Sequence, residues 1–166
     1  MSDIQTKTAP RMKINIGISE KNRKAIADEL SKVLADSYML YLKTHNYHWN
    51  VTGELFHSLH EQFEHQYTEL ADAIDEIAER IRALGYRAPG TFKEFHQLTS
   101  IEEDTEEPEA LEMVRRLALG NEQVLRTARE ALKPANEAED EATIDLLTER
   151  LKVHSKTAWM LRSHLE

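Results

Sequence analysis

Apolar residues recur along most of the chain at alternating steps of three and four, the period of an α-helix, and no stretch alternates in the manner of a half-buried strand. Ile26, Leu30, Val33, Ser37, Leu40 and Thr44 line one side of a helix predicted from Glu20 to about Asn50, with Ser19 as its cap. Val51-Thr52-Gly53 breaks it. A second helix is predicted from about Glu54 to Leu84, with a ridge of Phe56, Leu59, Phe63, Tyr67, Leu70, Ile74, Ile77, Ile81 and Leu84, and Gly85 just past its end. The connection over 86–105 carries Pro89-Gly90 and has room for one short helix near Thr91 to Gln97. A third helix is expected from near Glu106, with Pro108 in its first turn, to Leu132, where Pro134 stops it. Its mixed core face runs Leu111, Val114, Leu117, Asn121, Val124, Thr127 and Ala131. The fourth is expected from near Glu139 to Leu165, with Ile144, Leu147, Leu151, Ala158 and Leu161 turned inward.

The expected class is all-α. Four long helices with one long connection, between the second and the third, make a ferritin-like four-helix bundle over 19–166, preceded by a polar tail over 1–18. At 166 residues one domain is the natural reading. The chain has no cysteine, which removes disulfides, thiolate nucleophiles and thiolate metal sites together. No apolar run in the first thirty residues is long enough for a signal peptide or a membrane span, so a cytoplasmic protein is expected. Lys plus Arg numbers 21 against 30 Asp plus Glu, a formal charge of -9. That balance argues against a surface that grips nucleic acid throughout and suits one that attracts cations.

Five of the eight histidines fall between residues 45 and 65, in the stretch HNYHWNVTGELFHSLHEQFEH. A di-iron site inside a bundle needs Glu-x-x-His on two helices, yet only Glu54–His57 has that form and the fourth helix offers none, so the core-centred site is not expected. Beside the apolar ridge, His60 and Glu64 share a helix face, as do Asp75 and Glu79, and about 100° per residue puts all four on one stripe. His60 and Asp75 are about 22 Å apart along the axis, too far for one metal ion. A second copy lying antiparallel about a twofold axis brings its Asp75 and Glu79 to this copy's His60 and Glu64, and makes two equivalent sites. His48, at the end of the first helix, can fold back over Gly53 towards His60. Two imidazoles and several carboxylates with open positions suit Fe(II). Zinc fits the same donors but does no redox chemistry. Spacing alone also describes a plain solvated helix face. His45, His57 and His65 join no constellation.

The sequence His48-Trp49-Asn50-Val51-x-Gly53, then Phe56-x-x-Leu59-His60-x-x-Phe63, then Asp75-x-x-Ala78-Glu79-Arg80, resembles the Dps family of mini-ferritins, DNA-binding proteins from starved cells. The likeness continues through Leu84-Gly85, Gly90-Thr91 and Trp159. The resemblance implies a dodecameric homo-oligomeric shell that oxidises Fe(II), with hydrogen peroxide or dioxygen, and stores ferric mineral. It implies His48 and His60 as ligands from one subunit and Asp75 and Glu79 from its partner, with Glu64 at a position where members carry Asp or Glu. Trp49 matches an aromatic that intercepts stray electrons, or packs an interface. Asp140 and Glu141 look like acidic residues of the family's iron-entry pores. The alternative implied function is DNA-binding nucleoid protection with little ferroxidase activity. Lys7, Arg11 and Lys13 in the tail, followed by Lys21, Arg23 and Lys24, support it, and the acidic body opposes it.

Overall fold

The computed structural model describes residues 12–166. Its helices are α1 (Glu20–Asn50), α2 (Phe56–Ala83), α3 (Phe92–Leu98), α4 (Ala110–Glu137) and α5 (Glu141–Arg162), with no strand among the described residues. The four long helices form the expected bundle: α1 packs on α2 and on α4, α4 packs on α5, and α3 lies against α1. Helices α2 and α5 touch only sparsely. Part of the expected tail, residues 1–11, lies outside the described residues.

Local chemistry accounts for the ends. The Ser19 side chain accepts from Asn22 N at 3.2 Å and starts α1. Gly85, at φ +98°, ends α2 in a Schellman motif, with Tyr86 N donating to Ile81 O and Gly85 N to Arg82 O. A Cβ at Gly85 would also collide with Ile14. Thr91 and Glu94 form a reciprocal capping box that opens α3.

The third long helix departs from the sequence-based expectation at both ends. It begins at Ala110, beyond Pro108, and Pro134 sits inside it. Pro134 removes one hydrogen bond but still accepts from Ala138 N at 3.1 Å, so the last turn forms around it. The stop is Glu139, at φ +53°, closing a second Schellman motif in which Asp140 N donates to Ala135 O and Glu139 N to Asn136 O. The sequence hides this end because the left-handed residue is a glutamate, where glycine is the usual choice.

The core has two apolar clusters along the bundle, one around Leu40, Tyr47, Phe63 and Leu117, the other around Leu30, Ile77, Ile81 and Leu147. Phe56 and Leu111, expected inward, lie exposed at the ends of their helices. The long connection is fastened to α1 and α4 by two carboxylates, Asp36 buried and Asp104 half-buried. Asp36 accepts from Thr99 Oγ1 at 2.8 Å, Ser100 N at 2.6 Å and Thr127 Oγ1 at 2.6 Å. Asp104 accepts from the Tyr47 hydroxyl and pairs with Lys43 and Arg116. Burial, and then Asp104 beside it, push the Tyr47 hydroxyl pKa far up.

Candidate metal centre

The turn at Val51–Leu55 lays the start of α2 across the end of α1. Gly53, at φ +97°, makes the reversal, and Phe56 N donates to its carbonyl at 3.0 Å. The result stacks the His48 ring on the His60 ring, centroids 3.8 Å apart and planes 18° from parallel. His48 is buried and His60 half-buried. Each Nδ1 lies 2.8 Å from the backbone carbonyl oxygen of the other residue. A carbonyl oxygen only accepts, so each Nδ1 carries the proton and donates. The His48 carbonyl is in the last turn of α1, where helical partners run out, and His60 supplies one. In the neutral form of each ring, Nε2 is then the atom that carries the lone pair. A histidine that donates its other N–H to a backbone carbonyl is the usual, fixed form of a metal ligand.

Aromatic rings pack around this pair. Phe56 stacks on His60 at 5.1 Å, and Tyr67 meets His48 edge-on at 5.1 Å. His45 lies between Trp49 at 3.9 Å and Tyr67 at 4.1 Å. Desolvation, and then the neighbouring His48, hold the His45 pKa down. The Tyr67 hydroxyl pKa is raised, first by desolvation and then by the Glu64 carboxylate, so Glu64 faces the same cluster. Trp49 is 60% exposed although it joins the cluster. Sequence reasoning missed His45 as part of this surround. The signal was the spacing of Tyr41, His45 and Trp49, four apart on one face of α1.

Glu64, Asp75 and Glu79 are all exposed on α2, and none has a cationic partner among the described residues. Asp75 and Glu79 lie on the far half of the helix from His60. Among the described residues, no three His, Asp or Glu side chains converge well enough to hold a metal ion. His57 pairs with Glu61 at 3.5 Å, and both it and His65 are exposed.

Asp140 and Glu141 differ. Asp140 is only 3% exposed, takes both oxygens to Arg80 Nη2 at 2.7 and 2.9 Å, and caps α5 through Thr143. Burial by itself would raise its carboxyl pKa, but the bonds from Arg80 and Thr143 outweigh that and hold it below the usual carboxylate value. Its charge is neutralised internally, and only Glu141 presents its carboxylate to solvent. Among the helix-start cations, Arg23 is buried and donates to Leu84 O at 2.7 Å, and Lys24 pairs with Asp28 at 2.5 Å. Lys13 and Lys21 remain exposed, while Lys7 and Arg11 lie outside the described residues.

The ferritin-like domain model matches residues 27–166. The chain is 41% identical over 142 residues to DNA protection during starvation protein 2 of Bacillus anthracis, covering 86% of this chain and 97% of that protein. It is 40% identical over 156 residues to an uncharacterized low temperature-induced protein of Nostoc sp., covering 93% of this chain and 87% of that one. Among solved structures, the DPS protein of Vibrio cholerae superposes with a TM-score of 0.89 at 32% identity, over 95% of this chain and all (100%) of that one. It is described as a member of a broad superfamily of ferritin-like diiron-carboxylate proteins. The Dps protein of Bacillus brevis gives 0.85 at 35% identity, over 93% of this chain and 100% of that one.

Proposed function

We propose, for a chain that belongs to the ferritin-like family and within it to the Dps proteins, that it gathers Fe(II), oxidises it at sites shared by two subunits and stores the ferric product inside a homo-oligomeric shell. Iron is the substrate and hydrogen peroxide the preferred oxidant, with dioxygen as the alternative. The shell is the dodecamer of the family, and the compartment is the cytoplasm. No described helix is long and apolar enough to cross a membrane.

The observation that carries this reading is the reciprocal bonding of His48 and His60, which leaves both Nε2 lone pairs free to take a cation. One chain presents two imidazoles and Glu64 at one end of the α2 stripe and Asp75 and Glu79 at the other. An antiparallel partner completes two such sites at once. The chemistry requires proximity: two ferrous ions side by side give peroxide two electrons together, and with two protons from solvent the products are two ferric ions and two waters. A single electron would release hydroxyl radical instead. Carboxylates neutralise the added ferric charge, and the Nδ1 protons, already donated to carbonyls, stay where they are. The exposed carboxylates also raise the local concentration of the cation.

The test is anaerobic. Protein loaded with Fe(II) receives substoichiometric peroxide while ferric absorbance is followed, beside a His48→Ala/His60→Ala variant. Rapid oxidation lost in the variant is the expected result, and oxidation no faster than that of free iron overturns the reading. DNA binding is the weaker reading, because Arg23 and Lys24 are spent within the subunit.

A further inference from the structure

Helices α2 and α5 diverge enough to leave a groove of about 670 Å³ between them, within the range of roughly 300–1,000 Å³ typical of small-molecule sites. Its lining includes Gln62, Leu70, Asn121, Val153, His154 and Met160, and none of the residues assigned to iron. Two polar atoms of this lining are buried without a hydrogen-bond partner among the described residues, His154 Nε2 and Gln62 Nε2. Such atoms are uncommon and costly, and they call for an explanation.

Their hydrogen-bonding roles follow from their neighbours. Asn121 Nδ2 donates to Leu117 O at 2.8 Å, so Asn121 Oδ1 is the acceptor for His154 Nδ1–H, also at 2.8 Å. His154 Nε2 is therefore a lone pair. Burial, and then the charge of Arg150 nearby, push the His154 pKa down to about 3, so the ring is neutral. Gln62 Oε1 lies 2.8 Å from His164 Nε2, an acceptor satisfied, which leaves Gln62 Nε2 with free N–H donors. The residues lining the groove thus hold one unused acceptor and one unused donor, both covered from water, beside the apolar Leu70, Val153 and Met160.

We propose that this groove binds a small neutral molecule with an apolar body and a hydroxyl group. The hydroxyl donates to His154 Nε2, and an oxygen lone pair accepts from Gln62 Nε2. An anion is disfavoured because His154 carries no charge and the lining holds no net positive charge, with Lys156 set against Glu61 and Glu69 paired with Arg150. A metal ion is disfavoured because no three candidate ligands converge among the described residues, and Glu69 is already paired with Arg150 at 2.6 Å.

Phenol and benzene are the probes, titrated calorimetrically into the assembled full-length protein. Phenol is expected to bind about tenfold or more tightly than benzene, because a site with unpaired polar groups discriminates against the analogue lacking the hydroxyl. In His154→Leu that preference collapses, while retained benzene binding reports an intact groove. Gln62→Met, of similar volume, lowers the preference in the same direction, and Val153→Trp, which fills the groove, abolishes binding of both. Binding of neither probe to the unaltered protein, equal affinity for the two, or phenol binding unchanged by Val153→Trp each overturns the proposal.

Discussion

His48 and His60 hold each other through their backbones: each ring donates Nδ1–H to the other's carbonyl, at 2.8 Å in both directions. Each ring is fixed on the other residue's backbone and stacked on the other ring. An alanine at either position keeps the accepting carbonyl but removes the stacked ring and one of two ligands proposed for the same ion. His48→Ala and His60→Ala should each weaken Fe(II) binding by about 10- to 100-fold, and the double variant should lose much less than the product of the two. Anaerobic Fe(II) titration of the three variants checks this; strictly multiplicative losses would contradict the coupling.

The proposed site, shared across a twofold axis, makes a complementation prediction. Shells of His48→Ala/His60→Ala alone, or of Asp75→Asn/Glu79→Gln alone, should be inactive. Co-assembled in equal amounts, half of the random pairs are mixed, and each mixed pair holds one intact site of two. About one quarter of the unaltered activity should return. Initial ferroxidation rates of dissociated and reassembled mixtures measure it, and no recovery would mean that the two half-sites do not meet.

The three bonds accepted by buried Asp36 tie the segment after α3 to α1 and α4. Asp36→Ala strands Thr99, Ser100 N and Thr127 together. The expected cost is about 3 kcal/mol or more, read from chemical unfolding, with faster hydrogen exchange around residues 92–101.

Glu139 is a left-handed non-glycine residue at the end of α4. A side chain there costs about 1–2 kcal/mol, and glycine's extra freedom in the unfolded chain returns part of it. Glu139→Gly should stabilise by roughly 0.5–1 kcal/mol in thermal unfolding, and Glu139→Ala should not.

His154 contributes a pH dependence of known sign. Its folded pKa, near 3, is below the ordinary value of 6.5, so between them the unfolded chain binds a proton that the folded chain does not. The stability contributed by keeping it neutral is complete above about pH 6.5 and declines as pH falls towards 3, by about 1.4 kcal/mol per pH unit. Unfolding measured from pH 7 to 5 should show a shallower slope in His154→Gln; parallel slopes would place the loss elsewhere.

The stretch from 45 to 65 was legible as a concentration of candidate ligands because helical spacing is a local rule. His60 and Glu64, four apart, share a face whatever the helix packs against. The same rule placed α1 from Glu20 to Asn50 and found the ends at Ser19 and Gly85. It failed at the end of α4, where Pro134 is a strong signal for a stop and Glu139 a weak one. It also placed Phe56 and Leu111 in the core, because a periodic ridge does not say where the neighbouring helix runs out.

The sequence by itself determined an all-helical chain, four long helices with one long connection, and a stripe of His, Glu and Asp along one face of α2. Periodicity, caps and breakers act within about four residues, so they survive in the order of the residues alone. Only the tertiary structure decided which distant groups meet, Arg23 at Leu84 sixty-one residues away and Arg80 on Asp140 sixty away, and how His48 and His60, expected near each other across Gly53, bond to one another. Those pairings depend on how a turn is closed and how helices lie on one another, and each converts residue type into role. Arg23 becomes an interior strut, Asp140 a neutralised cap, and two histidines become one fixed pair, each ring bonded to the other's carbonyl.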